Sequence, residues 1–180
     1  MARINPINRN GNPKTNGLLN AVEKKMGMLP NIVATMAQSP AVAKAYLDGA
    51  GALATGALPA ALREQIALTV SEIDQCEYCL AAHNFLGGEA GLSESDRLDA
   101  RHGVASDDKT NAALAFARRI VENRGHLSDE DVDEVRLAGF SDGEIVEIVA
   151  NVCMTIFTNY FNHVAGTEVD FPHVPLLVAV

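Results

Sequence analysis

Residues 59–91 read PAALREQIALTVSEIDQCEYCLAAHNFLGGEAG, and this stretch decides the fold. In its first half Leu62, Ile66, Val70 and Ile73 recur every three or four residues, the spacing of one apolar helix face. Asp74 or Gln75 breaks that helix, and Cys76 then sits at or near the start of the next. Cys76, Cys79 and His83 are spaced i, i+3, i+7, so a helix puts all three on one face, with Cys79 and His83 an i, i+4 pair within side-chain reach.

Outward from this stretch the chain reads as helix after helix. Ser39-Pro40 is an N-cap followed by proline at the first helical position, and Pro59 opens the next helix in the same way. Ser93-x-x-Asp96 and Ser128-x-x-Asp131 resemble capping boxes with Asp in place of Glu, and Ser141-x-x-Glu144 is the standard form. Gly56, Gly91, Gly103, Gly125 and Gly139 fall where helices should end. These signals predict helices over about 16–27, 30–37, 40–55, 59–74, 76–90, 93–101, 107–124, 128–138 and 141–165. No run alternates as a strand does, and no Asn-Gly or Asp-Gly joins two alternating segments. The expectation is an all-α fold. It comprises an irregular arm over 1–15, one helical domain over 16–166 and an extended tail over 167–180. The tail ends in five apolar residues, 176–180, and should pack on its own body or on a neighbouring subunit, because an apolar strip left in water is a liability.

The 180 residues suit one domain or one subunit with a real core. With aromatics at 5% and no Trp, that core must come mainly from Ala, Leu, Val and Ile. A net charge of -9 offers no basic footprint for nucleic acid. No stretch approaches the roughly 20 apolar residues of a membrane span. The N-terminal MARINPINRN has no apolar core of a secretory signal, so the expected compartment is the cytosol. Three cysteines in such a chain do not make a disulfide framework. A C-x-x-C pair in a reducing compartment points to redox chemistry or metal binding.

Both cysteines have a physical reason to be reactive. A helix N-terminus favours a thiolate, which favours Cys76, and an adjacent imidazole can take a thiol proton, which favours Cys79. Their spacing on one turn lets them close into a disulfide if that turn can flex. Glu64 points away from its helix's apolar stripe, among Ala60, Ala67, Leu68 and Ser71, and is a candidate tuned acid or base. Glu72, one turn before Cys76, is the second candidate for that role.

A zinc site would use Cys76, Cys79 and His83, with Cys153 as a fourth ligand, but it lacks the usual second ligand pair. Haem attachment needs His directly after the second cysteine, where Leu80 stands, and a thioredoxin-type site needs a βαβ context. Cys153, in the apolar NVCMTIFTNYF, reads as an inert buried thiol. His102 and His126 sit near helix ends and read as structural. His163 and Asn159 form an i, i+4 pair that could line a pocket, though a core or surface histidine is the simpler reading.

Glu64, eleven residues, Cys76-x-x-Cys79, three residues, His83 resembles the signature of the AhpD-like alkylhydroperoxidases, within the carboxymuconolactone decarboxylase family. LREQIALTVSEIDQCEYCLAAHN and FNHVAGTEVDFPHV resemble its peroxidase-related subgroup. The resemblance implies an AhpD-like helical fold of roughly eight to nine helices, assembled as trimers, hexamers or other multiples. It implies a thiol peroxidase in which Cys79 attacks an alkyl hydroperoxide and becomes a sulfenic acid, and Cys76 resolves it to a disulfide. His83 relays the proton with Glu64 linked to it, through water. No metal or organic cofactor is implied, and a separate thiol donor, such as a lipoyl-bearing protein, supplies the electrons. Tyr78 inside the C-x-x-C departs from the best-characterised members, and the founding decarboxylases lack the C-x-x-C altogether. The same residues also suit a dithiol-disulfide oxidoreductase, or a redox-sensing or zinc-stabilised interaction module.

Overall fold

A computed structural model of the chain describes residues 2–8 and 13–177, the side chains of 13–15 excepted. The described residues form nine helices and no strand: α1 (Pro13–Met26), α2 (Asn31–Met36), α3 (Pro40–Leu53), α4 (Ala60–Ile73), α5 (Glu77–Glu89), α6 (Glu94–Arg101), α7 (Asp108–Glu122), α8 (Asp129–Leu137) and α9 (Asp142–Ala165). All nine predicted helices are present. The largest shift is at the start of α1, which begins three residues before the expected position. No helix among the described residues is long and apolar enough to cross a membrane.

The three Ser-x-x-acid caps form as their residues dictate, whereas Ser39 stands at the N-cap of α3 before Pro40 without a side-chain capping bond. Ser93, Ser128 and Ser141 each accept the N–H three residues on, and the Asp96, Asp131 and Glu144 carboxylates reach back to the cap N–H. Pro59 is itself the N-cap of α4, one position outside the helix.

The central element is α4, against which α5, α6, α7 and α9 all pack. It is enclosed almost all round: Leu62, Ile66, Ala67, Leu68 and Val70 are buried, and so are Gln65, Thr69 and Ser71. One apolar cluster gathers α4, α7, α8 and α9 around Ile66, Leu114 and Ile148. A second gathers α1, α2, α3 and the start of α5 around Leu19, Met36, Cys76 and Cys79. The thiols therefore lie within a hydrophobic cluster, which is what makes their few polar contacts decisive.

Two features correct the sequence reading. Glu72 does not face the thiols. Its carboxylate accepts from Arg101 Nε at 2.8 Å and from the Leu177 N–H at 2.7 Å, so it anchors the C-terminal segment to α6. Val174 and Leu176 pack beside it on the first cluster. Residues 178–180 of the expected apolar tail lie outside the described residues, as do residues 1 and 9–12 of the arm. Cys153 is exposed, not buried. Helix α9 is apolar around most of its circumference, so local hydropathy does not tell which side meets the core. The structure turns Val146, Val149, Cys153, Phe157, Tyr160 and Val164 to the outside, all exposed.

Candidate active site

The turn between α4 and α5 sets the site. The Cys76 N–H donates to the Ser71 carbonyl at 2.9 Å and the Gln75 N–H to that of Glu72 at 3.1 Å, the paired bonds of a Schellman ending. That motif needs a left-handed residue at position 75. Glycine would fit it freely, but the residue is Gln75, with φ of 54°, a conformation that costs a side-chain-bearing residue about 1–2 kcal/mol. The reversal delivers Cys76 as the N-cap of α5, where its Sγ accepts the Cys79 N–H at 3.5 Å.

One turn on, Cys79 is held from α9. Asn162 Nδ2 donates to its Sγ at 3.2 Å, and its thiol faces the Thr158 hydroxyl at 3.6 Å, which itself donates to the Thr155 carbonyl. Asn159, between them, receives the Ser71 hydroxyl and donates to the Asp74 carboxylate at 2.9 Å. Four consecutive inward positions of α9, at 155, 158, 159 and 162, are thus buried and polar.

The two sulfurs are electrostatically unequal. A hydrogen bond from the Cys79 thiol pulls the Cys76 thiol down to about 7 against the opposing effect of burial, with help from the Cys79 N–H, His163 and Asn162. Burial first, then the neighbouring Cys76 sulfur, push the Cys79 thiol well up. A negative charge on the pair therefore rests on Cys76 at equilibrium, in agreement with the helix N-terminus.

The predicted carboxylate and histidine come together. His83 Nδ1 and Glu64 Oε2 are 2.8 Å apart, with about a fifth of each side chain exposed. The link is direct, where the resemblance implies water between them. A carboxylate can only accept here, so Nδ1 carries the proton and Nε2 is left as the base.

Cys79, His83 and Glu64 share a cavity of about 390 Å³ between α1–α5 and α9, walled largely by apolar side chains such as Val33, Leu47 and Leu86. Tyr46 of α3 lines it too. Burial, followed by the charges of Cys79 and Glu64, pushes its hydroxyl up to about 12, so it stays protonated and able to donate. Cys76 is not in this wall. It lines a smaller cavity of about 190 Å³ with Gln75, Glu77, Asn162 and His163, from which Cys79 is absent.

Tyr78, between the cysteines, is buried and structural. Its hydroxyl accepts the Ile32 N–H at 3.2 Å, and its ring meets Phe171 edge-on at 5.9 Å. Among the described residues no group of three or more His, Cys, Asp or Glu side chains is arranged to hold a metal ion, and Cys153 faces outward, away from the pair. His102 is the C-cap of α6. Thr158, Asn162 and Tyr46 had no local signal in the sequence, since each acts across a long stretch of chain.

The geometry can be set beside known proteins. Residues 40–123 match the model of the carboxymuconolactone decarboxylase family. This segment belongs to that family. The whole chain has the AhpD-like fold: it superimposes with a TM-score of 0.86 on a peroxidase-related protein from Ralstonia eutropha JMP134, described as an alkylhydroperoxidase AhpD core, at 22% identity over 94% of this chain and 92% of that one. A peroxidase-related protein from Silicibacter sp. TM1040 gives 0.81 at 22% identity, over 92% of each chain. The debrominase Bmp8 gives 0.80 at 24% identity, over 93% of this chain and 92% of that one, and was also solved with 2,3,4-tribromopyrrole. No curated protein matches the chain by sequence.

Proposed function

We propose that the chain is a thiol-dependent peroxidase that reduces alkyl hydroperoxides. The observation that carries this reading is the placement of Cys79, His83 and Glu64 in one largely apolar cavity, with Cys76 directly behind. An apolar hydroperoxide enters that cavity. His83 Nε2 takes the Cys79 proton, and the Glu64 carboxylate stabilises the imidazolium that results. The Cys79 sulfur attacks the terminal peroxide oxygen, the O–O bond breaks, and the alkoxide takes the proton from His83 and leaves as alcohol. Cys79 is then a sulfenic acid. The Cys76 thiolate attacks its sulfur, the S–O bond breaks, the departing hydroxide takes from solvent the proton that Cys76 had released and leaves as water, and a Cys76–Cys79 disulfide remains.

Access and proton transfer assign attack to Cys79, although Cys76 is the stronger acid. A thiolate of low pKa is also the weaker nucleophile, and Cys76 does not face the large cavity. Asn162 Nδ2, already on the Cys79 sulfur, holds the charge as it forms.

A thiol donor must return the pair to its dithiol state, which fits a reducing compartment such as the cytosol. The exposed apolar row on α9 supports the further reading that the chain self-associates.

The test is peroxide turnover by purified protein with cumene hydroperoxide and a thiol donor. Turnover is expected in the wild type and should fall at least a thousandfold in Cys79→Ser. A Cys79→Ser protein that turns over normally would refute the reading. The debrominase neighbour and the aromatic residues Tyr46, Tyr78 and Phe171 in the cavity wall favour one second reading, reductive debromination of an aryl bromide, in which the ring carbon takes a proton, bromide leaves and the Cys76–Cys79 pair supplies two electrons as it closes to a disulfide. Bromide release from tribromopyrrole without peroxide turnover would select it.

A further inference from the structure

The two cysteines open on different spaces. The large cavity reaches Cys79 and the small one reaches Cys76, with Tyr78 standing between them as a wall common to both. The small cavity carries polar groups of its own, and apart from Asn162 Nδ2, which serves Cys79, the peroxide chemistry uses none of them. His163 Nε2 donates to the Asp74 carbonyl at 2.8 Å. A carbonyl can only accept, so that bond fixes the tautomer and leaves Nδ1 as the ring's basic atom. Asn162 Oδ1 and Thr167 Oγ1 are buried, have no hydrogen-bond partner, and belong to residues of this wall. Asn162 is 5% exposed. Buried polar atoms of this kind are costly to leave unpaired and point to a bound group that completes them. Glu77 and the acidic surface of the chain disfavour an anionic visitor.

We propose that the small cavity is the entrance for the electron donor, an uncharged small dithiol, which attacks Cys76 with His163 Nδ1 as the base that takes its first proton. This rests on the reading that the pair cycles through a disulfide. The donor thiolate attacks Cys76 Sγ, the S–S bond breaks, and Cys79 leaves as a thiolate that is protonated through His83. The donor's second thiol, losing its proton to solvent, attacks the donor sulfur of the mixed disulfide and releases Cys76, which takes the proton back from His163. The donor becomes a cyclic disulfide. Two electrons and two protons reach the cysteine pair, the second proton by way of solvent and His83, and the exchange balances. Oxidant and reductant thus arrive from different sides and need not exchange places.

The experiment separates the two half-reactions. Protein is oxidised with diamide instead of peroxide, and its reduction by dithiothreitol is followed by stopped flow for wild type, Val169→Trp and His163→Gln. Oxidation of each reduced protein by cumene hydroperoxide is measured alongside. Val169, 38% exposed, lines the small cavity only, so tryptophan there fills it without touching the core. Reduction should slow at least tenfold in Val169→Trp and at least fivefold in His163→Gln, with hydroperoxide oxidation within twofold of wild type in Val169→Trp. Wild-type reduction rates in both variants, an equal loss in both half-reactions of Val169→Trp, or failure of diamide to form the disulfide would each overturn the proposal. A disulfide that forms and is reduced as expected, in protein that hydroperoxide does not oxidise, would uphold the proposal and remove the peroxidase reading.

Discussion

Along its C-terminal half, helix α9 is polar on the inner side and apolar on the outer side, whereas its N-terminal half buries Ile145, Ile148 and Val152. Inside are Thr155, Thr158, Asn159 and Asn162, all buried. Outside, Val146 and Val164 are each about two-thirds exposed, and Phe157 and Tyr160 stand between them. An ordinary surface helix has the reverse order. The difference separates two kinds of requirement. The inner face holds two sulfurs in a hydrophobic cluster, where a thiolate survives only with hydrogen-bond donors aimed at it. The outer face has no such task and is left as an unpartnered apolar row.

Substitutions on the two faces should therefore act in different ways. The largest effect belongs inside. Asn162→Leu removes the donor to Cys79, and the single-turnover rate of hydroperoxide oxidation should fall about ten- to a hundredfold, the equivalent of about 1.5–3 kcal/mol for a hydrogen bond to a charged group. Circular dichroism should remain that of the wild type. Asn159→Leu leaves the Ser71 hydroxyl and the Asp74 carboxylate without their partner. It should cost about 2 kcal/mol in urea unfolding.

The unequal acidity of the sulfurs gives a pH signature. Thiolate is the alkylated form, so iodoacetamide labelling of Cys76 should accelerate as pH rises through about 7. In Cys79→Ala, where the donating thiol is gone, the midpoint should move upward. An unchanged midpoint would show that Cys79 does not govern Cys76.

Outside, Val146→Ser combined with Val164→Ser should change the unfolding free energy by no more than about 0.5 kcal/mol per site. It should lower the mass seen in sedimentation if this row joins copies of the chain, and a wild type that sediments as a monomer would remove the self-association reading. Cys153→Ser is the smallest change, with turnover expected within twofold of wild type.

Much of this was legible in the sequence for physical reasons. Caps and glycine stops are local chemistry, so three Ser-x-x-acid boxes and Ser39-Pro40 were enough to mark four helix starts. The pairing of Glu64 with His83 was legible only through the family resemblance, and there as a link through water; the direct contact comes from two helices folding back across one tight turn. What escaped depends on contacts distant in sequence. Asn162 reaches Cys79 over 83 residues, and nothing near it in sequence marks it as more than one polar residue in an apolar helix. Glu72 looked like a relay because it lies one turn from Cys76, yet Arg101 and the C-terminal segment claim it. Cys153 was misplaced because a helix apolar on nearly all sides does not declare which face turns inward.

The central claim is that Cys79, the weaker acid in the larger cavity, meets the oxidant. It is tested most directly by trapping the sulfenic acid with dimedone after one equivalent of cumene hydroperoxide, in Cys76→Ser and in Cys79→Ser, and locating the adduct by mass spectrometry. The account predicts an adduct on Cys79 in the first variant and none on Cys76 in the second. A Cys76 adduct forming in Cys79→Ser as fast as the wild-type protein is oxidised would contradict it.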